Sequence, residues 1–175
     1  YHAGRGGSSH RNARGGAYAS NRGRVRATVF AKKDEGPELV LIIAGAAVRS
    51  IPVGPEVELM EAMKRAVKHS SPKPTAVVLN YPNNPTGKVV DLNFYEEVVD
   101  FCLHHGIYIL SDVAYSEIYF DDVPPPSILQ IKRAWDIAVE FTSMSKTYSM
   151  PGWRIGFATG NKKLISALAR IKSYL

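Results

Sequence analysis

Residues 143–157 read SMSKTYSMPGWRIGF. Lys146 stands there among hydroxyl-bearing residues, and Arg154 follows after a Pro-Gly turn. No Asp or Glu lies between Glu140 and the last residue, so neither cation can be neutralised by a sequence neighbour. An anion from outside the chain is the simplest counter-charge. Two other polar stretches belong with this one: NYPNNPTG (80–87) contains Asn84, and SDVAY (111–115) contains Asp112 and Tyr115. With Ser143 and Ser145 beside the lysine, the set comprises an amine, a guanidinium, a carboxylate, a phenol, an amide and two hydroxyls. The donors among them suit a small anionic ligand. The guanidinium offers a planar fork for a phosphate or carboxylate.

For these stretches to act together, the elements carrying them must end at one place. LVLII (39–43) and VRSIPV (48–53) read as short strands. EVELMEAMKRAVKH (56–69) has helical spacing, with Leu59, Met63, Ala66 and Val67 on one face. SPKP (71–74) breaks that helix, and TAVVLN (75–80) has the continuous apolar run of a buried parallel strand. Asp91 is placed to cap the helix DLNFYEEVVDFCLHHG, with Phe94, Val98 and Phe101 as its stripe and Gly106 as its stop. IYILSD (107–112) is the next strand, DDVPPPS (121–127) a loop, DIAVEFTS (136–143) a strand and RIGFATG (154–160) a further strand before a last helix. Strands alternating with helices over short links predict an α/β domain, a mostly parallel sheet with flanking helices.

In open α/β sheets, ligands gather at the carboxyl ends of the strands. The three polar stretches follow three successive predicted strands at that end. Singly, each has a plainer reading: a turn for NNPTG, a helix N-cap for Asp112, a solvated loop for SMSK. Jointly, and in this order, they converge on one edge of the sheet.

Composition narrows the setting. The 175 residues are 45% apolar, enough for a domain with a core. The net charge of +6 invites a nucleic-acid reading until it is located. Residues 1–33 hold eight Lys/Arg and no acid, leaving 14 bases against 16 acids elsewhere. The basicity belongs to a Gly/Arg-rich leader, residues 1–43, whose first 36 residues read as lacking regular structure. No aromatic repeats interleave its arginines in the manner of a stacking platform, so nucleic acid is not the expected partner. The single Cys102 excludes an internal disulfide and points to a reducing, cytoplasmic setting. No run approaches the roughly 20 apolar residues of a membrane span, and residues 1–30 lack a signal-peptide layout. His69, His104 and His105 have no partner at ligand spacing, so no metal is expected. The adjacent pair reads as charges at a helix C-terminus.

YPNNPTG, SDVAY and SMSKTYSMPGWRIGF resemble motifs of the class I/II aminotransferases, pyridoxal-phosphate enzymes of fold type I. From about residue 44 to 175 the chain is similar to the alanine and LL-diaminopimelate aminotransferase subgroup. The resemblance implies the central part of the large, cofactor-binding domain. It implies Lys146 as the amine that holds the aldehyde of pyridoxal 5'-phosphate. Arg154 and Ser143 then serve as phosphate ligands, with Ser145 as a second hydroxyl donor. Asp112 becomes the carboxylate paired with the pyridine nitrogen, its own acidity strengthened by that ring cation. Asn84 and Tyr115 become the pair hydrogen-bonded to the phenolic oxygen, and the peptide bond before Pro85 is implied to be cis. The implied reaction is ping-pong transfer of an amino group between an amino acid and a 2-oxo acid in a homodimer.

The resemblance also marks departures. Residues 1–43 contain no recognisable counterpart of the family's glycine-containing phosphate turn or its ring-stacking aromatic. The small domain that carries the arginine for the substrate carboxylate lies beyond Leu175. The chain is therefore expected to be part of a longer protein, and by itself to bind the cofactor weakly or not at all and not turn over. A lyase on the same scaffold shares the Lys–Asp–Tyr–Arg set. A catalytically dead scaffold with a polyanion-binding tail is the third reading.

Overall fold

The computed structural model describes residues 28–32, 45–51, 58–120 and 122–174. A six-stranded sheet is formed by β1 (Thr28–Lys32), β2 (Ala47–Ile51), β3 (Pro74–Asn80), β4 (Tyr108–Asp112), β5 (Ala138–Ser143) and β6 (Gly156–Gly160). The spatial order is β2-β1-β3-β4-β5-β6. All neighbours pair in parallel except β5 and β6, which are antiparallel. The helices are α1 (Leu59–Lys68), α2 (Leu92–His105), the single turn α3 (Met144–Thr147) and α4 (Lys162–Lys172). This is the mostly parallel α/β architecture that the pattern of elements predicts.

The best-defined helix shows why. At the start of α2, Asp91 accepts a hydrogen bond from the Phe94 amide at 2.8 Å, satisfying a donor that the helix cannot. At its end Gly106 takes φ 67°, a left-handed conformation that costs glycine little. That turn lets Ile107 donate its amide to Cys102 O at 2.9 Å. The buried stripe is Tyr95, Val98, Val99 and Cys102, with Phe94 and Phe101 half-buried at its margin. This is rotated from the expected Phe94–Val98–Phe101 line, because the spacing 95, 98, 99, 102 makes a broader face. Likewise α1 buries Leu59, Met60, Ala62 and Met63, while Ala66 and Val67 sit at the edge. Both helices share one core with Val77 and Leu79 of β3, Ile109 of β4 and Ala138 of β5. At about 1.5–3 kcal/mol for each large aliphatic side chain buried, this face supplies most of the cohesion. Register places Val78 and Asn80 beside Leu110 and Asp112, and Asp112 beside Phe141, on the other, half-buried face.

Two features depart from the sequence reading or extend it. Thr28–Lys32 lies within the segment read as lacking regular structure, yet it forms β1, between β2 and β3 in the sheet. A strand can be held by backbone pairing to segments distant in the chain, which needs no local periodicity. The expected strand at 39–43 lies outside the described residues, as do 52–57. The second feature is β6. The link from β5 begins and ends at the same edge of the sheet, so β6 must run back antiparallel. Parallel neighbours would need a crossover to the far edge.

Candidate functional site

β3 ends at Asn80, and the loop after it is organised by that residue's amide. Asn80 Oδ1 accepts from the Asn84 backbone amide at 2.9 Å and from Asn83 Nδ2 at 3.2 Å. Asn80 Nδ2 donates across to Asp112 O at 3.3 Å. The loop closes with Gly87 N donating to Asn83 O at 2.7 Å, at φ 66° for Gly87. The Asn84–Pro85 bond is cis, as the resemblance implies. Asn84 itself is exposed. One asparagine therefore ties the NNPTG loop to the end of the neighbouring strand.

Asp112 closes β4, half-buried. Its Oδ1 accepts from the Ala114 amide at 3.2 Å, an Asx-type turn, and no helix follows. The N-cap reading is therefore replaced by a tighter local one. Burial raises the Asp112 pKa above the ordinary carboxylate value, and the Ala114 hydrogen bond offsets this in part. The lowering expected from a ring cation is not what the chain's own groups impose; they push the other way. Tyr115 follows in the same turn, half-buried.

β5 ends at Ser143, whose Oγ accepts from the Ser145 amide at 3.2 Å and so caps α3. That bond uses a lone pair and leaves the hydroxyl proton for another acceptor. Ser145 and Lys146 lie within α3, the lysine exposed with its Nζ 5.6 Å from the centre of the Tyr115 ring. An ammonium at this range is attracted by the ring face. Arg154 returns to the same edge because β6 is antiparallel: Ser143 pairs with Gly156, and Met144 N donates to Ile155 O at 3.1 Å. Arg154 adopts φ 53° and donates from Nη1 to Pro151 O at 3.2 Å, within its own turn.

The structure thus brings the termini of β3, β4 and β5 and the start of β6 to one edge. It joins Lys146 to Tyr115 directly and Asn84 to Asp112 through Asn80. Among the described residues, Asp112, Lys146 and Arg154 take part in no ion pair; the two present are Glu61–Lys64 and Asp100–Arg133. A cleft of about 740 Å³ opens between the NNPTG loop and the segment after β4. Asn84 and Tyr115 line it, but Asp112, Lys146 and Arg154 do not, so it adjoins the polar edge rather than containing it.

Sequence reasoning missed Asn80, although a polar residue ending an apolar run next to NNPTG was a visible signal. Both histidines stand in the last turn of α2, where they were expected; His105 has its pKa lowered by desolvation and then by His104 and Lys73. No group of three or more His, Cys, Asp or Glu among the described residues could hold a metal ion. No helix among them is long and apolar enough to cross a membrane.

Comparison with known proteins supplies the remaining context. The profile of the family described as Aminotransferase class I and II matches residues 39–175. AatC of Rhizobium meliloti is 59% identical over 134 residues, 77% of this chain and 33% of that protein. The glutamate-pyruvate aminotransferase AlaC of Escherichia coli is 48% identical over 76% of this chain and 32% of its own length. Among solved structures, BacF of Bacillus subtilis superposes with a TM-score of 0.74 at 33% identity, over 85% of this chain and 40% of that one. The aspartate aminotransferase of Thermus thermophilus gives 0.74 at 29% identity, over 85% and 39%. The chain spans about a third of the length of the curated relatives it matches.

Proposed function

This chain belongs to the class I and II aminotransferase family, and we propose that it forms the pyridoxal-phosphate-binding core of an enzyme moving amino groups between amino acids and 2-oxo acids. The observation that carries the reading is one of unpaired charge among the described residues. A half-buried carboxylate, Asp112, ends one strand without a cation. From the next strand's end, Lys146 reaches over Tyr115 without an anion. A ligand that bears a cation on one side and an anion and an aldehyde on another would satisfy both.

The donor set fits pyridoxal phosphate by chemistry. Ser143 retains a hydroxyl proton for a phosphate oxygen, and Ser145 and the Arg154 fork would be further donors. Asp112 is the group to face a protonated ring nitrogen, and such a cation would reverse the unfavourable burial of its charge. Asn84 and Tyr115 would hydrogen-bond the ring oxygen. When bound, the cofactor supplies an electron-accepting ring for the pair left behind as a substrate Cα–H bond breaks. The Lys146 amine would hold the aldehyde carbon and, when free, would carry the Cα proton as general base and then as general acid.

Alanine or diaminopimelate as amino donor is the reading supported by the names of relatives. AlaC is a glutamate-pyruvate aminotransferase, and proteins named LL-diaminopimelate aminotransferase are 44% identical over 132 residues. Assembly as a homodimer in the cytoplasm follows the same family reading. Spanning a third of its relatives' length, the 175-residue chain alone is expected not to turn over.

The test is chemical trapping. The chain is incubated with excess pyridoxal phosphate, reduced with borohydride, digested and analysed by mass spectrometry. The phosphopyridoxyl label is expected on Lys146 and absent from Lys146→Ala. Preferential labelling of a different lysine would refute the assignment. In a full-length protein carrying this sequence, 2-oxo acid release that requires an amino acceptor marks transfer. Release without one would mark a lyase.

A further inference from the structure

The segment that carries Tyr115 leaves β4 at Val113 and comes back to the sheet at Ser127, where the short 3-10 turn Ile128–Gln130 begins. Its two feet stand on adjacent residues of β5. At the first foot, Val113 N donates to the backbone carbonyl of Phe141 at 2.9 Å. At the second, the Glu140 carboxylate accepts from Ser127 Oγ at 3.0 and 2.9 Å and from Ile128 N at 3.3 Å. Ser127 Oγ in turn accepts from Leu129 N at 3.1 Å, so the hydroxyl relays the turn's amide to the carboxylate. The first foot is backbone on backbone and indifferent to side-chain identity. The second depends on one acid within an otherwise uncharged strand, AVEFTS.

Glu140 is half-buried, next to the fully buried Tyr95 of α2, and among the described residues it has no cationic partner. A carboxylate held there without a counter-charge costs stability, since burial penalises its charged form. The hydrogen bonds it accepts are what hold it. Between Ser127 and the cleft run Pro124, Pro125 and Pro126, whose rings fix φ and carry the position of the anchor into the cleft wall. Tyr115, Ile118 and Tyr119, from the same segment, also line this cleft. The strand that holds both feet ends at Ser143, and Lys146 follows in α3.

We propose that Glu140 is a positioning residue: by pinning Ser127 and Ile128 to β5, it fixes the strap that presents Tyr115 to Lys146. Its importance for amino transfer rests on the reading above. The contact itself rests on geometry alone and is tested without cofactor or turnover, so failure of either one leaves the other standing.

The experiment compares the wild-type chain with Glu140→Ala, Glu140→Gln, Ser127→Ala and the double variant Glu140→Ala/Ser127→Ala. Two readouts lie away from the substituted contact. One is hydrogen exchange of the Ser116 and Ile118 amides, which donate to Val113 O and Tyr115 O at 3.0 Å each. The other is the rate of trace acetylation of Lys146, read by mass spectrometry against exposed Lys162 and Lys163. Loss of the anchor is expected to speed exchange about tenfold, the scale of one hydrogen bond to a charged group. It is expected to speed Lys146 acetylation about two- to five-fold as the ring contact loosens. Gln retains one acceptor and should show a smaller change, and the double variant should add nothing to the single Ala variants. Unchanged Lys146 acetylation in folded Ser127→Ala and Glu140→Gln would overturn the proposal, even if thermal stability falls. Additive effects of the two Ala substitutions would overturn it as well. If Glu140→Ala does not fold, Ser127→Ala and Glu140→Gln decide the matter by themselves.

Discussion

Substituting Gly156 by Ala tests how Arg154 is brought to the site edge. Gly156 pairs with Ser143 across the antiparallel β5–β6 ladder. A Cβ added there would stand 2.7 Å from the Thr142 carbonyl oxygen, a backbone atom that cannot swing aside. Ordinary contact begins near 3.4 Å, so the strands must part by about 0.7 Å. The adjoining bond from Met144 N to Ile155 O is already 3.1 Å and would stretch past hydrogen-bonding range. Overpacking of this kind costs about 1–3 kcal/mol, and the lost bond adds about 0.5–1.5 kcal/mol. Together they predict a destabilisation of about 1.5–4.5 kcal/mol, which for a chain of this size lowers Tm by roughly 3–18 °C. Urea unfolding, analysed with a common slope for both proteins, measures it. Gly152→Ala is the control: its added Cβ meets nothing within 4 Å, and its stability should stay within about 0.5 kcal/mol of wild type. If Gly156→Ala behaves like Gly152→Ala, the close strand approach is wrong, and with it the placement of Arg154. If the approach is right, Gly156→Ala should also weaken pyridoxal-phosphate labelling of Lys146 more than the control does.

Three further outcomes follow from groups that the fold places under constraint. Burial raises the native pKa of Asp112, so the native state binds its proton more tightly than the unfolded chain does; stability is then lost as pH rises from the ordinary carboxylate range through the native value. Asp112→Asn should flatten that loss in urea midpoints measured from about pH 4 to 7 and be the more stable protein at neutral pH, whereas a midpoint below wild type at pH 7 would contradict the account. Asp91→Ala removes the 2.8 Å cap of α2 and should cost about 1 kcal/mol in the same unfolding assay; a cost below about 0.3 kcal/mol would show the cap to be idle. Cys102 is fully buried with its thiol pushed up to about 12, so a thiol-specific reagent should label it only in denaturant, and rapid labelling of the native chain would contradict its place in the core.

Much of this protein could be read from short windows of its sequence. Asp91 and Gly106 bracket a helix because capping is a local transaction between a side chain and the nearest free amides or carbonyls. TAVVLN, IYILSD and AVEFTS are apolar runs bounded by turn residues, and each became a strand of the parallel sheet. The tertiary structure decided what depends on partners far away in the chain. Thr28–Lys32 joins the sheet through backbone pairing with segments about 19 and about 46 residues on, a relation with no local periodicity to betray it. The direction of β6, and with it the return of Arg154 to the edge where Ser143 ends, was set by the closure of one link. Asn80 bridging to Asp112 is likewise a product of register, and Glu140 holding Ser127 of the way a loop returns to its strand; neither is visible in a short sequence window. The sequence by itself therefore determined which chemical groups are present and which strand ends carry them. Only the packed sheet decided how they face one another, because that geometry is the sum of non-local pairings.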